Sequence, residues 1–149
     1  MWRAGEVREI PQRRGNITMM QGEPLFRVLV VEDETLLRWS LGEILRRSGH
    51  TVLEATSASD AREAMTRSPE GIDVVLLDFR LPDSNDLRLL EEMRSRLPHT
   101  AVIMMAAFGT PEIVEGALER GAYCVIDKPF DVHAIEGVIR NAHRDTRLH

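Results

Sequence analysis

Val74-Val75-Leu76-Leu77-Asp78-Phe79-Arg80-Leu81-Pro82-Asp83 is the stretch whose reading decides the fold. Four apolar residues run straight into a carboxylate, and a proline then stops the strand. A continuous apolar run of this kind suits a strand buried on both faces, as in a parallel sheet. Asp78 then stands at the carboxyl end of the strand, the edge where open α/β sheets place their ligands.

Working outward, the same pattern recurs. Val28-Leu29-Val30-Val31 is a second buried-strand signature and ends in the acidic run Glu32-Asp33-Glu34. Leu37, Leu41, Ile44 and Leu45 follow at helical spacing, and Gly49 is a C-terminal stop with Arg46 and Arg47 suiting the negative end. Thr51 to Ala55 is a shorter strand; Ser57 or Ser59 then caps a helix carrying Ala61, Ala64 and Met65, closed by Pro69 and Gly71. Beyond Asp83, Leu87, Leu90, Met93 and Leu97 mark a helix ended by Pro98, and Ala101 to Ala107 is another buried strand. Thr110-Pro111-Glu112 opens a helix with a hydroxyl cap, a first-turn proline and a carboxylate; Gly121 ends it. Ala122 to Ile126 is the fifth strand and runs into Asp127-Lys128-Pro129-Phe130. A last helix starts at about Asp131, with Ile135, Val138 and Ile139 facing inward.

Five strands alternating with five helices call for a doubly wound parallel sheet with helices on both faces and right-handed crossovers. The boundaries expected are a loosely ordered leader over 1–24, one α/β domain over 25–145 and a tail over 146–149. The chain of 149 residues has room for one such domain and a proper core. A net charge of -5 and a pI near 5.6 argue against non-specific nucleic-acid binding. Cys124, the single cysteine, excludes an intrachain disulfide and a cysteine-rich zinc site. No stretch approaches the roughly 20 apolar residues of a membrane span, and Arg3, Arg8, Arg13 and Arg14 have no apolar run behind them as a secretory signal would. The location expected on these grounds is the cytoplasm.

In a parallel sheet the strand ends share one edge, so Glu32 and Asp33, Asp78, Ala106 and Lys128 gather there. Three carboxylates with room for water suit Mg²⁺, which also offsets the repulsion between them. Lys128 adds a point charge able to reach a phosphoryl oxygen. Singly, the acidic pair reads equally as a solvated loop, Asp78 as a turn residue and Lys128 as a surface lysine. Their placement in register at separate strand ends favours a site.

The motifs Val-Val-Glu-Asp-Glu at 30–34, Leu-Leu-Asp-Phe-Arg-Leu-Pro-Asp at 76–83 and Asp-Lys-Pro-Phe at 127–130 resemble those of receiver domains of two-component response regulators. Leu36 to Leu41, with Arg38-Trp39 at its centre, further resembles receivers of NtrC-type regulators. The resemblance implies a flavodoxin-like sheet of strand order 2-1-3-4-5. It implies that Asp78 accepts a phosphoryl group from a sensor histidine kinase or phosphotransfer protein. Glu32, Asp33, Asp78 and the backbone carbonyl of Arg80 would hold Mg²⁺, Lys128 would contact the phosphoryl group, and Lys128-Pro129 would be a cis peptide. Homodimerisation through the fourth and fifth helices is common among receivers. Output would lie in a partner protein or a domain outside this chain, because the basic tail over 140–147 is too short for a DNA-binding fold.

The chain departs from the family at three places. Receivers usually carry Thr or Ser at the end of the fourth strand, where this chain has Ala106, and an aromatic residue three before the lysine, where it has Val125. Tyr123, two residues earlier, is expected on the same side as Val125 by the strand period. Asp86 stands where a glycine commonly follows the proline turn. The expectation is an atypical receiver, a phosphoprotein weakly coupled through the usual switch and catalysing only its own modification. Two alternatives stay open: a pseudo-receiver that binds its partner regardless of phosphate, and an aspartyl phosphatase, against which Arg80 stands two residues after Asp78 in place of a second Asp.

Overall fold

The computed structural model describes residues 19–20, 23–68 and 70–147. Five parallel strands, β1 (Arg27–Val31), β2 (Thr51–Ala55), β3 (Val74–Asp78), β4 (Ala101–Ala106) and β5 (Cys124–Asp127), form one sheet in the order 2-1-3-4-5. Between and after them run α1 (Thr35–Arg47), α2 (Ala58–Thr66), α3 (Arg88–Arg96), α4 (Pro111–Glu119) and α5 (Ile135–Arg147). Register brings Val31 opposite both Ala55 and Leu77, Asp78 opposite Met105, and Ala106 opposite Asp127. The carboxyl ends therefore lie side by side.

Every residue of β3 and β4 is buried, as continuous apolar runs require when helices cover both faces. Alternate side chains divide between two cores. Leu29, Val75, Leu77 and Met104 pack with Ala61, Leu90 and Ala117 from α2, α3 and α4. Val28, Leu76, Ile103 and Met105 pack with Leu41 from α1 and Ile135 and Ile139 from α5. Helix ends follow the sequence chemistry: Ser57 Oγ accepts the Asp60 N–H, and Thr110 Oγ1 accepts that of Ile113 behind Pro111. Gly49 and Gly121 end α1 and α4 at φ 96° and 101°, where a side chain would be strained. Arg62 of α2 bonds Glu92 of α3, and Arg120, the C-cap of α4, bonds Glu91 of α3, tying the three helices of one face together.

Several boundaries differ from the sequence reading. The fifth strand begins at Cys124, not Ala122, so the period does not extend to Tyr123. Tyr123 packs on the α1/α5 side and donates its hydroxyl to Asp145 at 2.7 Å, whereas Val125 packs on the opposite core. The last helix is preceded by a 3₁₀ turn, Val132–Ala134, because Asp131 Oδ1 accepts the His133 N–H. It runs on to Arg147, past the expected tail boundary. On α4 only Ala117 is buried, and Leu118 is 46% exposed. Of the leader, Met19–Met20 pairs antiparallel with Glu23–Pro24. Its remainder, and Pro69 as the closing residue of α2, lie outside the described residues.

Candidate functional site

Each candidate side chain is delivered by a strand that ends. Glu32 follows β1 and is fully buried; Asp33 beside it is exposed. Asp78 closes β3 and is 5% exposed, and Lys128 follows β5. Lys128 Nζ lies 2.8 Å from Glu32 Oε1 and 3.1 Å from Asp78 Oδ2, so one cation bridges two carboxylates from strands far apart in sequence. The other oxygens are also engaged: Glu32 Oε2 accepts the Glu34 N–H at 3.0 Å, and Asp78 Oδ1 accepts the Arg80 N–H at 3.2 Å. The Lys128-Pro129 peptide is cis. These groups line a hollow of about 320 Å³ rimmed by Pro82 and Phe108.

Glu32, Asp33 and Asp78 each place one carboxylate oxygen within 4.8 Å of the others. Hard oxygen donors that close, two of them buried, fit a small divalent cation that keeps part of its water. Burial pushes the Glu32 carboxyl above the ordinary carboxylate range and Asp78 adds to the rise; the hydrogen bonds from Lys128 and the Glu34 N–H work against it. For Lys128, burial alone would lower the pKa. The hydrogen bond to Glu32 and the charges of Asp78 and Glu32 outweigh it, and the ammonium is held above its usual range.

The two positions at which a departure from the family is expected, Ala106 and Val125, lie in the fourth and fifth strands. Ala106 is buried at the end of β4 and brings only a methyl group; Ala107 and Phe108 after it reach the hollow. Val125 is half-buried against the α2–α4 core. Asp127, which the sequence reading passed over, extends beneath the β4–α4 loop: a Cβ on Gly109 would come within 2.9 Å of its Oδ1. Asp86 accepts the Arg88 N–H at 3.0 Å and so makes its own turn into α3.

Three further residues were missed. Arg38 of α1 donates to the Glu32 backbone carbonyl at 2.9 Å and to Glu54 at 3.1 Å, pinning the acidic loop. Asp83 bonds two backbone amides of α2. Phe108 is 78% exposed and lines one groove with Leu36, itself 71% exposed. Phe108, an aromatic directly before Gly109 at a strand end, was the one legible signal.

Comparison with known proteins places this edge in a family. Residues 28–140 match the response regulator receiver domain. The chain belongs to the response-regulator receiver family. It is 33% identical over 118 residues to the response regulator protein PilR of Pseudomonas aeruginosa, covering 79% of this chain and 26% of that protein. It is 28% identical over 114 residues to sporulation initiation phosphotransferase F of Bacillus subtilis, covering 76% of this chain and 90% of that protein. The crystal structure of the NtrX receiver domain from Brucella abortus superposes with a TM-score of 0.69 at 34% identity, over 78% of this chain and 98% of that one. The receiver thus spans about a quarter of PilR and nearly all of the sporulation protein. Receivers of this family belong to two-component systems, and among the described residues no helix is long and apolar enough to cross a membrane.

Proposed function

We propose that this receiver accepts a phosphoryl group on Asp78 from a histidine of a sensor kinase or phosphotransfer protein. The observation that carries the reading is the bridging of Asp78 and Glu32 by Lys128, with Asp33 closing the carboxylate cluster. An Asp78 carboxylate oxygen attacks phosphorus, the P–N bond of the donor breaks, and its electron pair leaves on the imidazole nitrogen. Lys128 releases the carboxylate oxygen it holds and follows the charge onto the phosphoryl oxygens. Glu32, Asp33, Asp78 and the Arg80 carbonyl would hold Mg²⁺, which supplies positive charge to the transferring group when bound. The chain turns over nothing but its own phosphorylation.

The test is intact mass after incubation with Mg²⁺ and acetyl phosphate. A gain of one phosphoryl group, abolished by EDTA, is expected. No gain overturns the reading in favour of a phosphate-independent interaction module.

The donor protein's contact is supported by an apolar groove of about 650 Å³ beside the hollow, lined by Leu36, Leu37, Phe108, Pro129 and Phe130. It shares Phe108 and Lys128 with the acceptor hollow, so a helix seated there sets a histidine over Asp78. Leu36→Ser is expected to slow transfer from a phosphodonor protein about tenfold while leaving acetyl phosphate kinetics unchanged, because Leu36 touches only the groove.

With Ala106 and Val125 in the switch positions, phosphorylation lacks its usual hydroxyl and aromatic reporters. A hydrogen bond to a charged group is worth about 1.5–3 kcal/mol. Ala106→Thr is therefore expected to stabilise the phosphorylated form and speed its formation about tenfold, read by the same mass assay as a time course. Unchanged phosphorylation rate and partner affinity would show that the missing hydroxyl has no consequence here.

A further inference from the structure

Asp83 lies in the β3–α3 loop, five positions after the acceptor, and does not line the hollow. Its carboxylate spans to the start of α2: Oδ1 accepts the Ala58 N–H at 2.7 Å and Oδ2 the Ser59 N–H at 3.0 Å. Ser57 takes the next amide, that of Asp60. The first turn of a helix leaves backbone donors without intrahelical partners, and here two of them are met by a residue from another element. The bonds from Ala58 and Ser59 hold the Asp83 carboxyl below its usual range, so the clamp is a charged one.

The other end of the clamp is as well defined. Leu81 and Ser84 exchange two backbone hydrogen bonds, N–H to carbonyl at 2.7 and 3.2 Å, closing a tight turn with Pro82 and Asp83 at its tip. Leu81 is buried at its base, and Arg80 immediately precedes it. Arg80 is tied in turn to Asp78 through its N–H. The chain from Asp78 to Ser84 is thus pinned at the acceptor, at Leu81 and at α2.

We propose that Asp83 is a positioning residue for the metal centre, fastening the loop to α2 so that the Arg80 carbonyl is already in place before the cation arrives. This rests on the reading of Glu32, Asp33, Asp78 and the Arg80 carbonyl as the Mg²⁺ ligands. Ordering a free loop on binding opposes binding, and groups that orient a ligand from behind typically set affinity by 10–100-fold. The lower end, about tenfold, fits a residue acting through a turn.

The experiment is a Mg²⁺ titration of the full chain followed by backbone amide NMR shifts of residues around Asp78, for wild type, Asp83→Ala, Asp83→Asn and Ser57→Ala. Ser57→Ala removes a cap from the same helix without touching the loop, so it isolates the effect of loosening α2. Asp83→Ala is expected to need about tenfold more Mg²⁺ for half-saturation, Asp83→Asn to fall between it and wild type, and Ser57→Ala to match wild type. Hydrogen exchange at Arg80 and Leu81 is expected to quicken in Asp83→Ala, less so in Asp83→Asn, and not in Ser57→Ala. If Asp83→Ala fails to fold, Asp83→Asn carries the comparison. Superposable titrations of wild type and the Asp83 variants, or an equal loss in Ser57→Ala, overturn the proposal. A wild type that shows no Mg²⁺ response overturns the metal-site reading as well.

Discussion

Asp78→Asn is expected to abolish phosphorylation by acetyl phosphate while leaving the receiver folded. The amide has no nucleophilic oxygen comparable to a carboxylate's, so the bond to phosphorus does not form. The side chain nonetheless keeps its shape. Asp78 uses one oxygen toward Lys128 and the other toward the Arg80 N–H, and an asparagine can satisfy only one of them while its NH₂ faces a donor. The loss of one charge-assisted contact is partly balanced, because a carboxylate leaves a cluster in which Asp78 raises the Glu32 pKa. Thermal unfolding within a few degrees of wild type and an unchanged mass after phosphodonor treatment are the expected results. A full phosphoryl gain in Asp78→Asn would move the acceptor to another side chain.

The placement of Asp78 was legible because it rests on two strong patterns. Apolar runs at 28–31, 74–77 and 101–105 are long enough to announce strands buried on both faces, and parallel register then aligns their ends. Glu32, Asp78 and Lys128 meet for that reason. Where a reading depended on an element's exact end, it failed. Tyr123 lies one residue outside β5, and outside a ladder the two-residue period assigns no side. The start of α5 shifted because Asp131 bonds forward into a 3₁₀ turn rather than an α turn. Tertiary bonds made by single charged side chains left no trace in the sequence. Arg38 and Asp83 stand at positions with no apolar period, and the Glu32 carbonyl and the α2 amides that they hold are backbone. Backbone has no letter to pair with.

Lys128→Met is expected to reduce both stability and phosphoryl transfer, in proportions that Mg²⁺ separates. Methionine keeps the aliphatic stem but removes the cation from between Glu32, whose side chain is 1% exposed, and Asp78. Breaking a buried pair from one side costs about 3–5 kcal/mol, and the partial exposure of Lys128 favours the lower figure. Glu32, already raised by burial, loses its main opposing contact and its pKa climbs further. An acid whose folded pKa lies above its unfolded value near 4.5 binds its proton more tightly in the native state. Stability therefore falls as pH rises from 4.5 through the folded value, so the deficit of Lys128→Met is greatest at neutral pH and shrinks on acidification. Urea unfolding at pH 7 and pH 5 reads this directly. Saturating Mg²⁺ returns part of the lost stability by mass action, about 2.7 kcal/mol at a hundredfold excess over its dissociation constant. It does not return the transfer rate, because a preorganised charge that follows the phosphoryl oxygens is worth about 10²–10³-fold. A variant as stable as wild type at pH 7 without Mg²⁺ would mean that neither Glu32 nor Asp78 depends on Lys128 for the stability of its charge in the native receiver.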